Sequence, residues 1–72
     1  MFIIYSKANC SKCEIAKMTL YVKHKEFTVK KLDEDFTIEW FLSEFNSRSF
    51  PVIVDTDTDT VYKTVEELQT KL

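Results

Sequence analysis

Phe2-Ile3-Ile4-Tyr5-Ser6-Lys7-Ala8-Asn9-Cys10-Ser11-Lys12-Cys13 is the stretch that decides the fold. Its first residues form an apolar, β-prone run and predict a buried strand over 2–6. Lys7-Ala8-Asn9 is a short loop. From Ser11 to about His24 the spacing predicts a helix. Ile15, Ala16, Met18, Thr19, Leu20 and Val22 fall on one broad apolar arc, with Glu14, Lys17, Tyr21 and His24 opposite. Two cysteines therefore sit at a strand-to-helix junction, within one helical turn of each other.

Working outward, Phe27 to Leu32 reads as a second strand, with Phe27 and Val29 alternating against Thr28 and Lys30. Asp33-Glu34-Asp35 offers N-caps for a second helix, whose Ile38, Phe41, Leu42 and Phe45 follow the i, i+3, i+4, i+7 pattern of one buried face. Asn46 to Ser49 is a loop leading to Pro51. Val52-Ile53-Val54 is a third strand, Asp55 to Thr60 a turn, and Val61-Tyr62-Lys63 a fourth strand. Thr64 and Glu67 form a capping box for a last helix, Val65 to Lys71. The order is β-α-β-α-β-β-α. A strand–helix–strand unit asks for a parallel crossover and the later tight pair for a hairpin. The expectation is an α/β domain over residues 1–72, a four-stranded mixed sheet with three helices on its two faces.

A chain of 72 residues holds one small domain, near the roughly 70–80 residues below which a single core is marginal. The formal charge of −2, with both signs interspersed, argues against a nucleic-acid partner. No apolar run reaches the roughly 18 residues of a membrane span. The start, Met1 to Tyr5, reads as a strand and is too short and uncharged for a signal peptide. Two Cys without an export signal point to a reducing, cytoplasmic setting, where paired Cys are catalytic or metal-binding. A monomer is expected. Gly is absent, so Asn9, Asn46 and the Asp-rich stretch must supply the left-handed turns.

Cys10-Ser11-Lys12-Cys13 carries the chemistry. A thiol at a helix start meets unpaired N–H groups and the positive end of the dipole, which favour thiolate. Lys12 and Lys7 add cationic charge. Cys10 is the expected nucleophile and Cys13, at the edge of the buried arc, the shielded resolving thiol. Other readings exist: two small buried hydrophobes, or a zinc site, for which the chain adds only a distant His24 where four ligands are usual. Asp55, Asp57, Asp59 and Glu66 have calcium-loop spacing, but Thr60 stands at the Gly position and the flanks read as strands. No metal is expected. Phe36 and Trp40, opposite the apolar face of the second helix, read as a local aromatic cluster or a docking patch.

The order of elements, the Cys pair after the first strand and Pro51 opening the third resemble the glutaredoxins over essentially the whole chain. Lys7 matches a family Lys near the active thiol. Arg48-Ser49-Phe50-Pro51-Val52-Ile53 is similar to the Arg-Gln-x-Pro-Val-Val segment of the glutaredoxin-like hydrogen donors of ribonucleotide reductase. The resemblance implies a thioredoxin-like fold. It also implies a cis Phe50–Pro51 bond beside the Cys pair, and a Phe50 backbone that pairs with an extended substrate. The sequence departs from the family in three places. The dipeptide is Ser-Lys rather than Pro-Tyr or Pro-Phe. Lys63-Thr64 replaces a Gly-Gly turn. Glu66 and Glu67 align where the γ-glutamyl end of glutathione would lie, and would repel its carboxylate.

The resulting expectation is a thiol–disulfide oxidoreductase with no bound cofactor. It would reduce protein or glutathione mixed disulfides through Cys10 and Cys13, with Lys7 and Arg48 holding an anionic part of the substrate. Ribonucleotide reductase is the client the resemblance implies, and glutathione or a thioredoxin-type reductase the electron source. Two rival classes are an iron–sulfur protein, with Cys10 of two chains sharing a cluster with glutathione, and a redox-inactive adaptor of the same fold.

Overall fold

A computed structural model describes residues 1–72. β1 (Phe2–Ser6) leads through a turn into α1 (Ser11–Val22), followed by β2 (Phe27–Lys31), α2 (Ile38–Phe45), β3 (Val52–Asp55), β4 (Thr60–Tyr62) and α3 (Val65–Lys71). The sheet order is β2-β1-β3-β4. β1 and β2 are parallel, with Ile4 opposite Val29; β3 lies antiparallel on the other side of β1, with Ile53 opposite Ile4. β3 and β4 form the expected hairpin.

The period-2 alternation of the strands divides the core into two layers. Phe2 and Ile4 of β1 and Ile53 of β3 face one way and meet Ala16 and Leu20 of α1 and Val65 and Leu68 of α3. Tyr5 of β1 and Val52 and Val54 of β3 face the other way, against Phe41 and Phe45 of α2, with Phe36, Ile38 and Phe50 closing the edge. α1 and α3 thus share one face of the sheet and α2 covers the other.

The broad buried arc expected on α1 is narrower in the fold. Only Cys13, Ala16 and Leu20 are buried. Ile15, Met18 and Val22 are 45%, 63% and 64% exposed. A helix lying on a sheet buries one stripe, and α3, with seven residues, is too short to cover a second.

The helix ends follow local chemistry. Asp33, Glu34 and Asp35 do not cap α2. Asp35 instead accepts from the Lys31 N–H at 2.8 Å, closing a turn that bridges Leu32 to Phe36. The cap is Thr37, whose hydroxyl accepts from the Trp40 N–H at 3.2 Å. At α3 the Thr64 hydroxyl accepts from the Glu67 N–H at 3.0 Å, while the Glu67 carboxylate accepts from Lys63 N–H at 3.3 Å, one residue before the usual partner. α1 ends in a Schellman motif, with His24 N–H donating to Tyr21 and Lys25 N–H to Leu20. In a chain without glycine, five residues take positive φ: Asn9, His24, Asp33, Asn46 and Asp59.

Candidate active site

The site lies where β1 runs out of the sheet. Asn9, at φ 55°, turns the backbone after Ala8 so that Cys10 enters α1 as its cap in an extended conformation. A cap side chain faces the free N–H groups of the first turn, and Cys10 Sγ accepts from the Cys13 N–H at 3.1 Å. Cys10 and Cys13 are joined as a disulfide, with Cα atoms 5.3 Å apart. The two sulfurs differ in access. Cys13 is 2% exposed, one turn into the helix on its sheet-facing stripe, whereas Cys10 is half-buried at the mouth.

The disulfide borders a hollow of about 640 Å³ that Lys7, Lys17, Lys31 and Glu34 also line. Neither Lys31 nor Glu34 was among the site residues expected from sequence. The parallel β1–β2 pairing brings them there, by placing the carboxyl ends of both strands side by side, where ligands of open α/β sheets bind. Lys17 is held by Glu14 at 2.9 Å.

The remaining residues singled out from sequence divide into three groups. Lys7 reaches over the Phe50 ring, its Nζ 5.6 Å from the centroid, so the loop before Cys10 and the turn before β3 are in contact. The Phe50–Pro51 bond is cis. Pro51 is fully buried, so the surface here is formed by the half-buried Phe50 rather than by the proline ring. Arg48 is exposed on the same turn.

Lys12 and Glu66 are brought together, Nζ to Oε2 3.6 Å apart, so α3 contributes a carboxylate to the first turn of α1. Glu67 is turned away into its capping role. His24 is exposed at the far end of α1. The calcium-like residues are dispersed: Asp55 accepts from the Asp57 N–H, Asp57 pairs with the chain's amino terminus, and Glu66 pairs with Lys12. No group of three His, Cys, Asp or Glu side chains is disposed to hold a metal ion.

Phe36 and Trp40 form the local aromatic cluster, with ring centroids 5.9 Å apart. Both also lie against Tyr5, at 5.3 and 5.4 Å between ring centroids, and extend the aromatic layer of α2. Burial, with repulsion from Glu44 added, holds the Tyr5 phenol above its ordinary pKa.

Comparison with known proteins agrees with this geometry. A family model described as Glutaredoxin matches residues 2–58, most of the chain and both cysteines. None of the curated proteins matches. Among solved structures, the thioredoxin-like protein BC3987 is 23% identical, with a TM-score of 0.78 and 100% of each chain covered. The glutaredoxin-like NrdH-redoxin from Escherichia coli, whose structure is described as the basis of a thioredoxin-like activity profile, is 18% identical, with a TM-score of 0.79 over 99% of this chain and 92% of that one. Both likenesses establish the thioredoxin-like fold.

Proposed function

The chain belongs to the glutaredoxin family, and from that membership we propose that Cys10 and Cys13 are the working dithiol of an oxidoreductase that reduces protein disulfides and glutathione mixed disulfides. The observation that carries the proposal is the position of Cys10 Sγ at the cap of α1, 3.1 Å from the Cys13 N–H. A thiolate there is stabilised by the N–H groups that the helix leaves unpaired.

In the reduced protein the Cys10 thiolate attacks one sulfur of a substrate disulfide. That S–S bond breaks, a mixed disulfide forms on Cys10 and the first substrate sulfur leaves as thiolate. Cys13, giving up its proton, then attacks Cys10 Sγ. The intramolecular disulfide forms and the second substrate thiolate leaves. Two electrons pass to the substrate, and its two sulfurs take up the protons the cysteines released. The burial of Cys13 supports this division of labour, because a shielded thiol meets its neighbour before it meets an outside disulfide.

Lys7 and Arg48 would hold anionic parts of the substrate, and the Phe50 backbone would pair with an extended segment of it. Ribonucleotide reductase is the proposed client, on the likeness of residues 48–53 to its hydrogen donors. A thioredoxin-type reductase is the proposed electron source. The activity profile named for the Escherichia coli protein supports that choice, as does the carboxylate of Glu66 where glutathione's tail would lie. A monomer in a reducing compartment suits this chemistry.

The test feeds the same oxidised protein in parallel, once with thioredoxin reductase and NADPH and once with millimolar glutathione, glutathione reductase and NADPH, with insulin as acceptor. Insulin reduction is expected with the first system, faster than with the second. Faster turnover with glutathione would overturn the donor assignment, and no insulin reduction with either would overturn the function.

A further inference from the structure

We propose that Glu66 is a positioning residue that sets the charge preference of the cysteine site by holding the Lys12 ammonium. The proposal rests on the exchange reading given above and names the substrate class it favours: disulfides with neutral or basic neighbours, over those flanked by carboxylates.

Lys12 is one of the two residues between the cysteines. Its side chain is exposed, and its backbone lies in the first turn of α1. A disulfide approaching Cys10 comes within reach of this flexible ammonium, which is the natural counter-charge for a carboxylate carried beside the scissile bond. In the folded protein that ammonium is already engaged. α3 packs beside α1 on the same face of the sheet, and its first turn brings Glu66 Oε2 within 3.6 Å of Lys12 Nζ. The other carboxylates nearby have other partners, Glu14 with Lys17 and Glu67 with the Lys63 N–H. Lys12 has Glu66 as its one ion-pair partner.

The pair is built to be exchangeable. Its side chains are 62% and 66% exposed, so solvent screening keeps it at the weak end for ion pairs. A substrate carboxylate can displace Glu66, but must compete with it. A neutral or cationic substrate has no need of the Lys12 ammonium, so its engagement by Glu66 does not hold that substrate back. Glu66 therefore acts on anionic substrates through Lys12, by withholding the cation they need.

Single-turnover oxidation of the pre-reduced protein tests this, with 3,3′-dithiodipropionate (two carboxylates), 2-hydroxyethyl disulfide (neutral) and cystamine (two ammonium groups) as probes. In each reaction the probe's S–S bond breaks to two thiols as the Cys10–Cys13 bond forms, read by acid quench, alkylation and mass spectrometry. Glu66→Gln is expected to shift the anionic-to-cationic rate ratio toward the anionic probe by about three- to fivefold. Glu66→Lys should shift it further in the same direction. Both shifts should shrink at high salt.

In a Lys12→Gln background the Glu66→Gln shift should fall to less than half its size. An unmoved ratio in Glu66→Gln would overturn the proposal. So would a full-sized shift without Lys12, which would mean that Glu66 acts on the substrate directly. Failure of all three probes to oxidise the wild-type dithiol would instead overturn the exchange reading and this proposal with it. Circular dichroism of each variant shows whether it is folded, and both side chains stand clear of the core.

Discussion

Lys7 and Phe50, far apart in the chain, meet with the ammonium 5.6 Å from the ring centroid. The contact ties the loop that delivers Cys10 to the turn that opens β3, and Phe50 in turn stacks on Phe41 at 4.4 Å. The mouth of the site is thereby anchored in the α2-side core. Lys7→Met keeps the aliphatic stem and removes the charge. It is expected to cost about 0.5 kcal/mol in urea unfolding, whereas Phe50→Ala, which also deletes the stack on Phe41, should cost about 2–3 kcal/mol.

The unequal access of the two sulfurs predicts unequal chemistry. Cys10 should react with iodoacetamide with a pH midpoint well below the roughly 8.5 of a free thiol. Cys13→Ser should accumulate a stable mixed disulfide on Cys10 after exposure to a disulfide substrate, and Cys10→Ser should form none at a comparable rate. Mass spectrometry of the two variants decides the roles; an adduct on Cys13 at the wild-type rate would reverse them.

Substitutions on α1 should separate its buried stripe from its exposed apolar residues. Leu20, fully buried between the sheet and α3, is expected to lose about 3 kcal/mol on conversion to Ala. Met18→Glu and Val22→Lys should stay within about 0.5 kcal/mol of wild type. Equal losses at all three positions would show that the arc is covered in solution.

Most of the fold was legible in the sequence, because each element carries a single clear period. The strands alternate, and Ile38, Phe41, Leu42 and Phe45 mark one helix face. The order, the parallel crossover and the β3–β4 hairpin follow from handedness and turn length, whereas the antiparallel β1–β3 pairing, the third in the sheet, depends on how the second half of the chain docks on β1. The misreadings occurred where a local pattern fitted more than one answer. Apolar residues on α1 span a wider arc than a sheet and a short α3 can cover, so Ile15, Met18 and Val22 were wrongly expected inside. Asp33 and Asp35 have good cap chemistry but stand too early, and Thr37, equally able, adjoins the helix. In the site, the cysteines were visible from spacing alone. The Lys12–Glu66 pair was not, because it depends on how α3 docks against α1, and Lys31 and Glu34 reach the hollow only through the parallel crossover. The burial of Pro51, which leaves Phe50 at the surface, was likewise not legible, because it depends on how the turn before β3 packs.

His24 occupies the left-handed position of the Schellman motif, at φ 58°, where glycine has no Cβ to strain. His24→Gly should therefore stabilise the protein by about 0.5–1 kcal/mol, despite the greater freedom glycine gives the unfolded chain. The imidazole is exposed, so little packing is lost. Thermal unfolding of the two proteins gives the comparison, and a lower midpoint for the glycine variant would contradict it.

Tyr5 should make stability fall in alkali. Its phenol is held above the ordinary 10.0 by burial and then by Glu44, so the folded state keeps this proton more firmly than the unfolded chain does. The associated stabilisation is fully present below about pH 10 and is lost as pH rises through the folded-state value. Tyr5→Phe keeps the ring contacts and removes the titration. Urea unfolding between about pH 9 and about pH 11 should show a steeper decline for wild type than for the variant, and parallel curves would exclude the effect.

Trp40 is the chain's one tryptophan, and its ring lies 5.4 Å from that of Tyr5 and 5.8 Å from that of Phe45. At such separations excitation absorbed by the phenol passes to the indole before it can be emitted. The native protein is therefore expected to emit as a tryptophan protein with Tyr5 dark, and tyrosine light should return as α2 leaves the sheet. The aromatic layer thus gives the molecule an internal optical gauge of one half of its core, independent of any label placed on the sulfurs.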